Sequence, residues 1–350
     1  MEARGYMVLS MLGAAVGTAA VYLPRYAKEI LQNRKSVVIH IDSDDLHIPE
    51  PPEPPEPPEP PEPPELPDLP GLPKLARGAS GKVEMVEFIS DASPTGAVRL
   101  EMWTGKVRVV GTDKAEVRVT GKLKRGAHFE GRTSGDTTRL EVSSETPMAA
   151  GGELDMVVPA GSRVELKGLS LDMDVEGVGG LETEGVSGDI SSRAVRGRQE
   201  IRAVSGRVEV VATTDLDLEL DSVSGKVTVT AESGRVKLNT VSGSAEVDVG
   251  TLNALEVGTV SGQVKVTGAI ADSASCQLNG YSGQIVLTVP PGSPGHFELQ
   301  SATGSLQSDL PEIQRSSKAM EKRAVFARGE GGPRCRMENF SGKLAVRDGH

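Results

Sequence analysis

The chain has 350 residues and a formal net charge of −11, with 41 Gly, 23 Pro, two Cys, one Trp, four Tyr and five Phe. Negative charge spread along the chain repels phosphate backbones, and so few aromatic rings offer little surface for base stacking, which excludes nucleic acid as a partner. The cysteines form no CxxC pair and the five His fall at no ligand spacing, so no metal or other cofactor is expected.

Tyr6 to Leu23 is uncharged and mostly apolar, and as a helix it would rise about 27 Å, enough for a bilayer core. Residues 6–23 are therefore read as a transmembrane anchor. A cleaved signal peptide fits less well, because Glu2 sits beside Arg4 and the small-residue site at Thr18 to Ala20 is weak. Residues 24–49 form a juxtamembrane segment in which Arg25, Lys28, Arg34 and Lys35 follow the span, a bias that by itself favours a cytoplasmic domain. Residues 50–74 point the other way, as a spacer suited to a domain held off a membrane. From Glu50 to Glu65 the chain repeats Glu-Pro-Pro, and polyproline II with three residues per turn puts the Glu in one column along a rod of about 50 Å. A proline-motif ligand is the functional alternative, but such ligands usually carry a flanking basic residue.

Frequent Gly, Val and Thr in the rest of the chain predict short strands and turns. Residues 80–180 read as an irregular β region that caps a repeat domain on its C-terminal side. Within it, Val98, Leu100, Trp103, Thr104, Val107 and Val109 look like one extra copy of the downstream repeat, and Val158-Pro159-Ala160-Gly161 looks like a turn. Over residues 181–350, Ser-Gly or Thr-Gly recurs in register at Ser187, Ser205, Ser224, Ser242, Ser261, Ser282, Thr303 and Ser341, at spacings of 18, 19, 18, 19, 21, 21 and 38. With the Ser or Thr as position zero, apolar residues recur at −6, −4, −1, +3 and +5, as in Leu218, Leu220, Val223, Val227 and Val229.

The shared parity of −1, +1, +3 and +5 predicts a strand from −1 to +5 with a bend between −4 and −1. A hairpin turning on Ser-Gly fails, since Val223 would then face Lys226. The predicted fold is all-β: a parallel β-solenoid with coils of about 19 residues, stacked about 4.8 Å apart, eight coils making about 40 Å. An antiparallel β-sandwich or barrel is the alternative. Residues 309–333 interrupt the last period as an insertion. Its Arg315, Lys318, Lys322, Arg323, Phe326 and Arg328 form the candidate interaction loop, because insertions concentrate at binding faces; a disordered or short helical insertion is the bland alternative.

Cys276 and Cys335 both fall at −6, with Phe297 holding that position in the intervening copy. Two coil steps of about 4.8 Å predict sulfurs too far apart for a disulfide. The outward column at −5 holds Glu182, Glu200, Glu219, Glu256 and Glu298, which could bind Ca²⁺ or cleave a polysaccharide, although a solvated charged face explains it more simply. No catalytic residues are recognisable.

The Ser-Gly-x-Val-x-Val repeats, with the Val-Pro-Ala-Gly and Val-Pro-Pro-Gly turns at Val158 and Val289, resemble the bacterial β-strand-repeat family of uncharacterised proteins often labelled putative adhesins. The resemblance spans roughly Val98 to Val346 and implies a membrane-anchored envelope protein without catalytic residues. The expected function is non-enzymatic: a membrane-tethered, adhesin-like structural or interaction protein at the bacterial inner membrane, its large domain periplasmic or on the cell surface. Expected partners are the membrane through the N-terminal helix and protein, cell-wall polymer or further copies of itself. The alternatives are a carbohydrate-active β-helix enzyme and a cytoplasmic membrane-bound scaffold or filament former.

Overall fold

The computed structural model describes residues 84–145, 150–318 and 321–349, where every helix or strand assigned is a strand. The anchor expected over residues 6–23, the segment 24–49 and the spacer 50–74 lie outside the described residues, among which no helix is long and apolar enough to cross a membrane.

The N-terminal third holds β1 (Glu84–Asp91), β2 (Ala97–Met102), β3 (Thr104–Thr112), β4 (Glu116–Leu123), β5 (Ala127–Ser134), β6 (Thr137–Ser144), β7 (Gly151–Pro159) and β8 (Arg163–Glu176). The middle holds β9 (Gly180–Ser187), β10 (Ile190–Arg193), β11 (Arg198–Ala203), β12 (Arg207–Ser222), β13 (Lys226–Thr240), β14 (Ser244–Thr259) and β15 (Gln263–Gly280). The C-terminal part holds β16 (Gln284–Val289), β17 (Gly295–Ser301), β18 (Ser305–Ser308), β19 (Glu312–Lys318), β20 (Glu321–Arg328), β21 (Arg334–Asn339) and β22 (Lys343–Asp348).

Parallel pairing stacks these strands into a two-faced solenoid, as the repeat predicts. One face runs β7–β3–β8–β10–β12–β13–β14–β15–β16–β22–β18, and the other runs β6–β2–β8–β9–β11–β12–β13–β14–β15–β21–β17. The long strands β12 to β15 contribute to both faces, crossing between them at register shifts such as Ala212/Asp215 and Gly234/Arg235. Eleven layers at about 4.8 Å make a rod of about 48 Å. Alternation aims one residue in two inward, so equivalent positions form ladders through the core: Leu220, Leu238, Val257, Leu278, Met337 and Leu299 lie in successive layers, all essentially sealed from solvent. Each such burial contributes roughly 1.5–3 kcal/mol, but only because the layers above and below supply the apolar wall.

Both ends are interleaved. The first layer in sequence, β2–β3, lies inside the second, β6–β7, because β2 pairs with both β6 and β8 while β3 pairs with both β7 and β8. At the other end the last layer, β21–β22, is wedged between β15–β16 and β17–β18. An antiparallel excursion separates the exchanged layers each time: β4 and β5 at the start, which with β1 cover the N-terminal end, and the hairpin β19–β20 at the finish, which covers β17. Residues 97–176 thus supply three regular layers, and the period fades there because the chain leaves the stack and returns out of order.

That exchange overturns the expected separation of the cysteines. Phe297 does not lie between them: Cys276 pairs directly with Cys335, and Phe297 pairs with Cys335 from the far side. The sulfurs are bonded, with Cα atoms 4.6 Å apart. Of residues 309–333, Glu312–Lys318 and Glu321–Arg328 are strands that pair antiparallel as β19 and β20, which corrects the disordered or helical alternative for these residues.

Candidate functional site

The repeated Ser-Gly or Thr-Gly forms one corner of the layers that carry it, at Thr104 and from Ser187 onward; β8 turns instead at Leu169-Ser170-Leu171. The Ser backbone N–H and hydroxyl both reach the carbonyl oxygen of the residue before the Ser in the neighbouring layer: Ser224 N and Oγ lie 2.8 and 3.2 Å from Val204 O, and Ser282 N and Oγ lie 2.7 and 3.2 Å from Val260 O. Position −2 closes the corner from inside, where the buried Thr259 Oγ1 accepts from Gly262 N at 3.0 Å and Ser301 Oγ accepts from Gly304 N at 2.8 Å. The Gly packs on the equivalent Gly of the next layer. A Cβ on Gly225 would fall 2.1 Å from Gly206 O, and one on Gly283 would fall 2.3 Å from Gly262 O.

The corner therefore spans −1 to +1, correcting the bend expected between −4 and −1. Position −2 points inward and position −1 points out. Its apolar residues line up along the solenoid as Trp103, Leu169, Val186, Val204, Val223, Val241, Val260, Tyr281, Phe340 and Ala302, successive members joined through the corner hydrogen bonds. None is buried. Tyr281 and Phe340 are 43% and 36% exposed, and their rings stack 5.3 Å apart at an interplanar angle of 7°. Over ten layers this makes an apolar ridge about 43 Å long at about 4.8 Å per step. The apolar −1 column was visible in the repeat; the missed signal was the small or polar residue at −2 in most copies, which in Thr240, Thr259 and Ser301 accepts from the corner Gly N–H from inside.

Much of the charged surface is paired with itself, although Glu256 of the −5 column makes no ion pair among the described residues. In the −5 column, Glu182 meets Arg163 at 2.6 Å, Glu200 meets Arg202, Glu219 meets Lys237 at 2.8 Å and also Arg198, and Glu298 meets Arg323 at 2.8 Å. A hydrogen bond from Lys237, helped by the charges of Lys237 and Arg198, holds the Glu219 carboxyl below its ordinary range, and the same bond raises Lys237. At −3, Lys167, Glu184, Arg202 and Asp221 alternate in sign, with Glu184 bridged to Lys167 at 3.0 Å and to Arg202 at 3.2 Å. Among the described residues no group of three or more His, Cys, Asp or Glu could hold a metal ion. A shallow depression of about 610 Å³ on the first face mixes carboxylates such as Asp172, Asp174 and Asp189 with Lys106, Arg108, Arg193 and Arg207.

The candidate interaction residues lie in the terminal hairpin. Phe326 is buried beneath it; Arg315 pairs with Glu312 at 2.6 Å; Lys322 Nζ donates to Thr303 O and Gly304 O at 3.2 and 3.0 Å. Arg323 pairs with Glu298 at 2.8 Å, and Arg328 donates to Ser293 O, Pro290 O and Asp348 at 2.8, 2.9 and 2.8 Å. Lys318 ends β19, and its side chain lies outside the described ones. Most of this set fastens the hairpin to the layers beneath it.

Solved structures similar to the chain include a putative cell adhesion protein from Clostridium sporogenes (10% identity, 76% of this chain and 100% of that one, TM-score 0.19), a putative adhesin from Bacteroides fragilis (11%, 77% and 98%, 0.30) and one from Parabacteroides distasonis (12%, 77% and 98%, 0.25). No curated protein matches the chain. The family described as Toastrack DUF4097 matches residues 98–347, nearly the whole of the solenoid and its ends. The chain belongs to the Toastrack DUF4097 family.

Proposed function

We propose that this chain is a non-enzymatic, adhesin-like interaction protein of the bacterial envelope, tethered to the inner membrane by residues 6–23 and using the corner ridge as its line of attachment. The observation that carries the reading is the contrast between a continuous ridge of partly exposed apolar side chains from Trp103 to Ala302 and a −5 column in which four of the five carboxylates are ion-paired. A polysaccharide-cleaving face would need two free carboxylates aimed at a cleft, whereas four of the five in the −5 column are paired with Arg or Lys, which leaves Glu256 by itself. The Cys276–Cys335 disulfide supports an oxidising compartment outside the cytoplasm, against the bias of Arg25, Lys28, Arg34 and Lys35.

Two measurements test it. Protease added to outer-membrane-permeabilised cells is expected to digest the domain before lysis; protection until lysis would place it in the cytoplasm and end the adhesin reading. Val223→Ser with Val241→Ser, both half-exposed, should lower retention of the protein on isolated cell walls and envelope proteins at least fivefold with the fold intact. Equal retention would remove the ridge from the function.

A further inference from the structure

We propose that Cys276 and Cys335 form a redox latch on the inserted C-terminal layer: oxidised, residues 334–348 stay wedged between two earlier layers, and once reduced that end of the solenoid opens ahead of the rest. The layer β21–β22 is hydrogen-bonded along both edges by strands that precede it in sequence, β15 and β17 on one face and β16 and β18 on the other. The chain enters it through Gly329-Glu330-Gly331-Gly332-Pro333, where the three glycines have φ of 75°, 81° and 81°, a segment suited to hinging. Withdrawing the layer would leave β17–β18 with no parallel neighbour, so β17, β18, β21 and β22 form one opening unit.

Two clasps hold this layer to its inner neighbour. Inside, the disulfide joins residues in direct register; outside, Phe340 of the inserted layer stacks on Tyr281. Both cysteines are buried, at 2% and 1% exposure, and thiol–disulfide exchange requires a thiolate to approach the sulfur under attack. Reduction therefore requires a rare, transient loosening of the oxidised layer, and the disulfide returns it to the wedged position until it is cleaved. In closing, the two thiols give up two protons and two electrons as the Sγ–Sγ bond forms, and an external protein disulfide is reduced to its dithiol. In opening, an external dithiol attacks, passes through a mixed disulfide and is itself oxidised, leaving Cys276 and Cys335 as thiols.

The latch deepens the envelope reading by placing an oxidant of the disulfide class where the domain matures, but its test uses purified full-length protein in detergent and does not depend on compartment. Release of thiol by dithiothreitol is followed under native conditions for the parent, for Phe340→Ala and for Leu140→Ala, a core deletion in the outermost N-terminal layer. Phe340→Ala is expected to speed reduction roughly threefold to tenfold and Leu140→Ala to leave it unchanged. After reduction, hydrogen exchange should accelerate in β17, β18, β21 and β22 while β12 to β14 stay protected. Reduction of Phe340→Ala at the parent rate, equal acceleration by Leu140→Ala, or a uniform rise in exchange would each overturn the latch.

Discussion

At the scale of single residues, the corner fixes which side chain each position tolerates. Gly225 has φ of 129° and its missing Cβ leaves room for Gly206 O, so Gly225→Ala meets both a left-handed backbone and a collision with an atom that cannot swing away. We expect a loss of about 2 kcal/mol or more by urea unfolding. Gly280→Ala, whose new Cβ would press only slightly on the flexible end of Ile285 at 3.3 Å and sit at ordinary contact with Asn339 Cβ and Thr259 Cγ2 at 3.5 and 3.6 Å, should cost less than about 1 kcal/mol. Glu219 makes a second test. Its folded pKa is depressed, so the stability it adds is present above the unfolded carboxylate value of about 4.3 and is lost as pH falls through the lower folded value. Glu219→Gln should therefore be less stable than the parent at pH 6, by under about 1 kcal/mol for so solvated a pair, and equal to it near pH 2.

Among elements, the hairpin β19–β20 and the strands β1, β4 and β5 solve the problem any stack of parallel layers has at its ends, where bare strand edges and open core would meet water. Antiparallel strands can be reached by short turns, so a chain can cover its own end without a further coil. Arg328 anchors this cover: it donates to Pro290 O and Ser293 O and pairs with Asp348, joining β20 to the β16–β17 turn and to the last strand. Arg328→Ala leaves those acceptors unmatched and should cost about 1.5–3 kcal/mol in urea unfolding. A cost below about 0.5 kcal/mol would show that the hairpin is held without Arg328, by its pairing with β17, the Lys322 and Arg323 contacts and the buried Phe326 and Ala324.

Across the whole molecule, stability is a sum over neighbouring layers, which makes the interior modular and the ends indivisible. Deleting residues 225–242 removes one layer and rejoins Ser224 to Gly243, restoring the Ser-Gly corner. The shortened protein should fold and unfold cooperatively, with a scattering profile shorter by about 4.8 Å. Deleting residues 334–350 instead removes a layer that two others need and should leave the C-terminal end open to protease. If the interior deletion failed to fold and the terminal one did not matter, stacking would be the wrong account of this domain.

The repeat in the sequence determined the interior. Apolar columns at −6, −4, +3 and +5 are buried together most simply in a stack of like coils, which parallel pairing of the layers bears out over an antiparallel sandwich, and the resemblance to an adhesin-labelled β-repeat family rested on the same residues. The outward turn of Val223 and its equivalents was legible only in part, because parity cannot tell which of two adjacent positions lies at a corner until the hydroxyl at −2 is seen bonded to the Gly N–H. Layer order was decided by the tertiary structure alone. Equivalent coils offer equivalent edges, so nothing local in residues 334–348 says that they belong between β15 and β17; the β19–β20 excursion and the pairing it permits settle that, and with it the disulfide and the ridge's continuity from Tyr281 to Phe340.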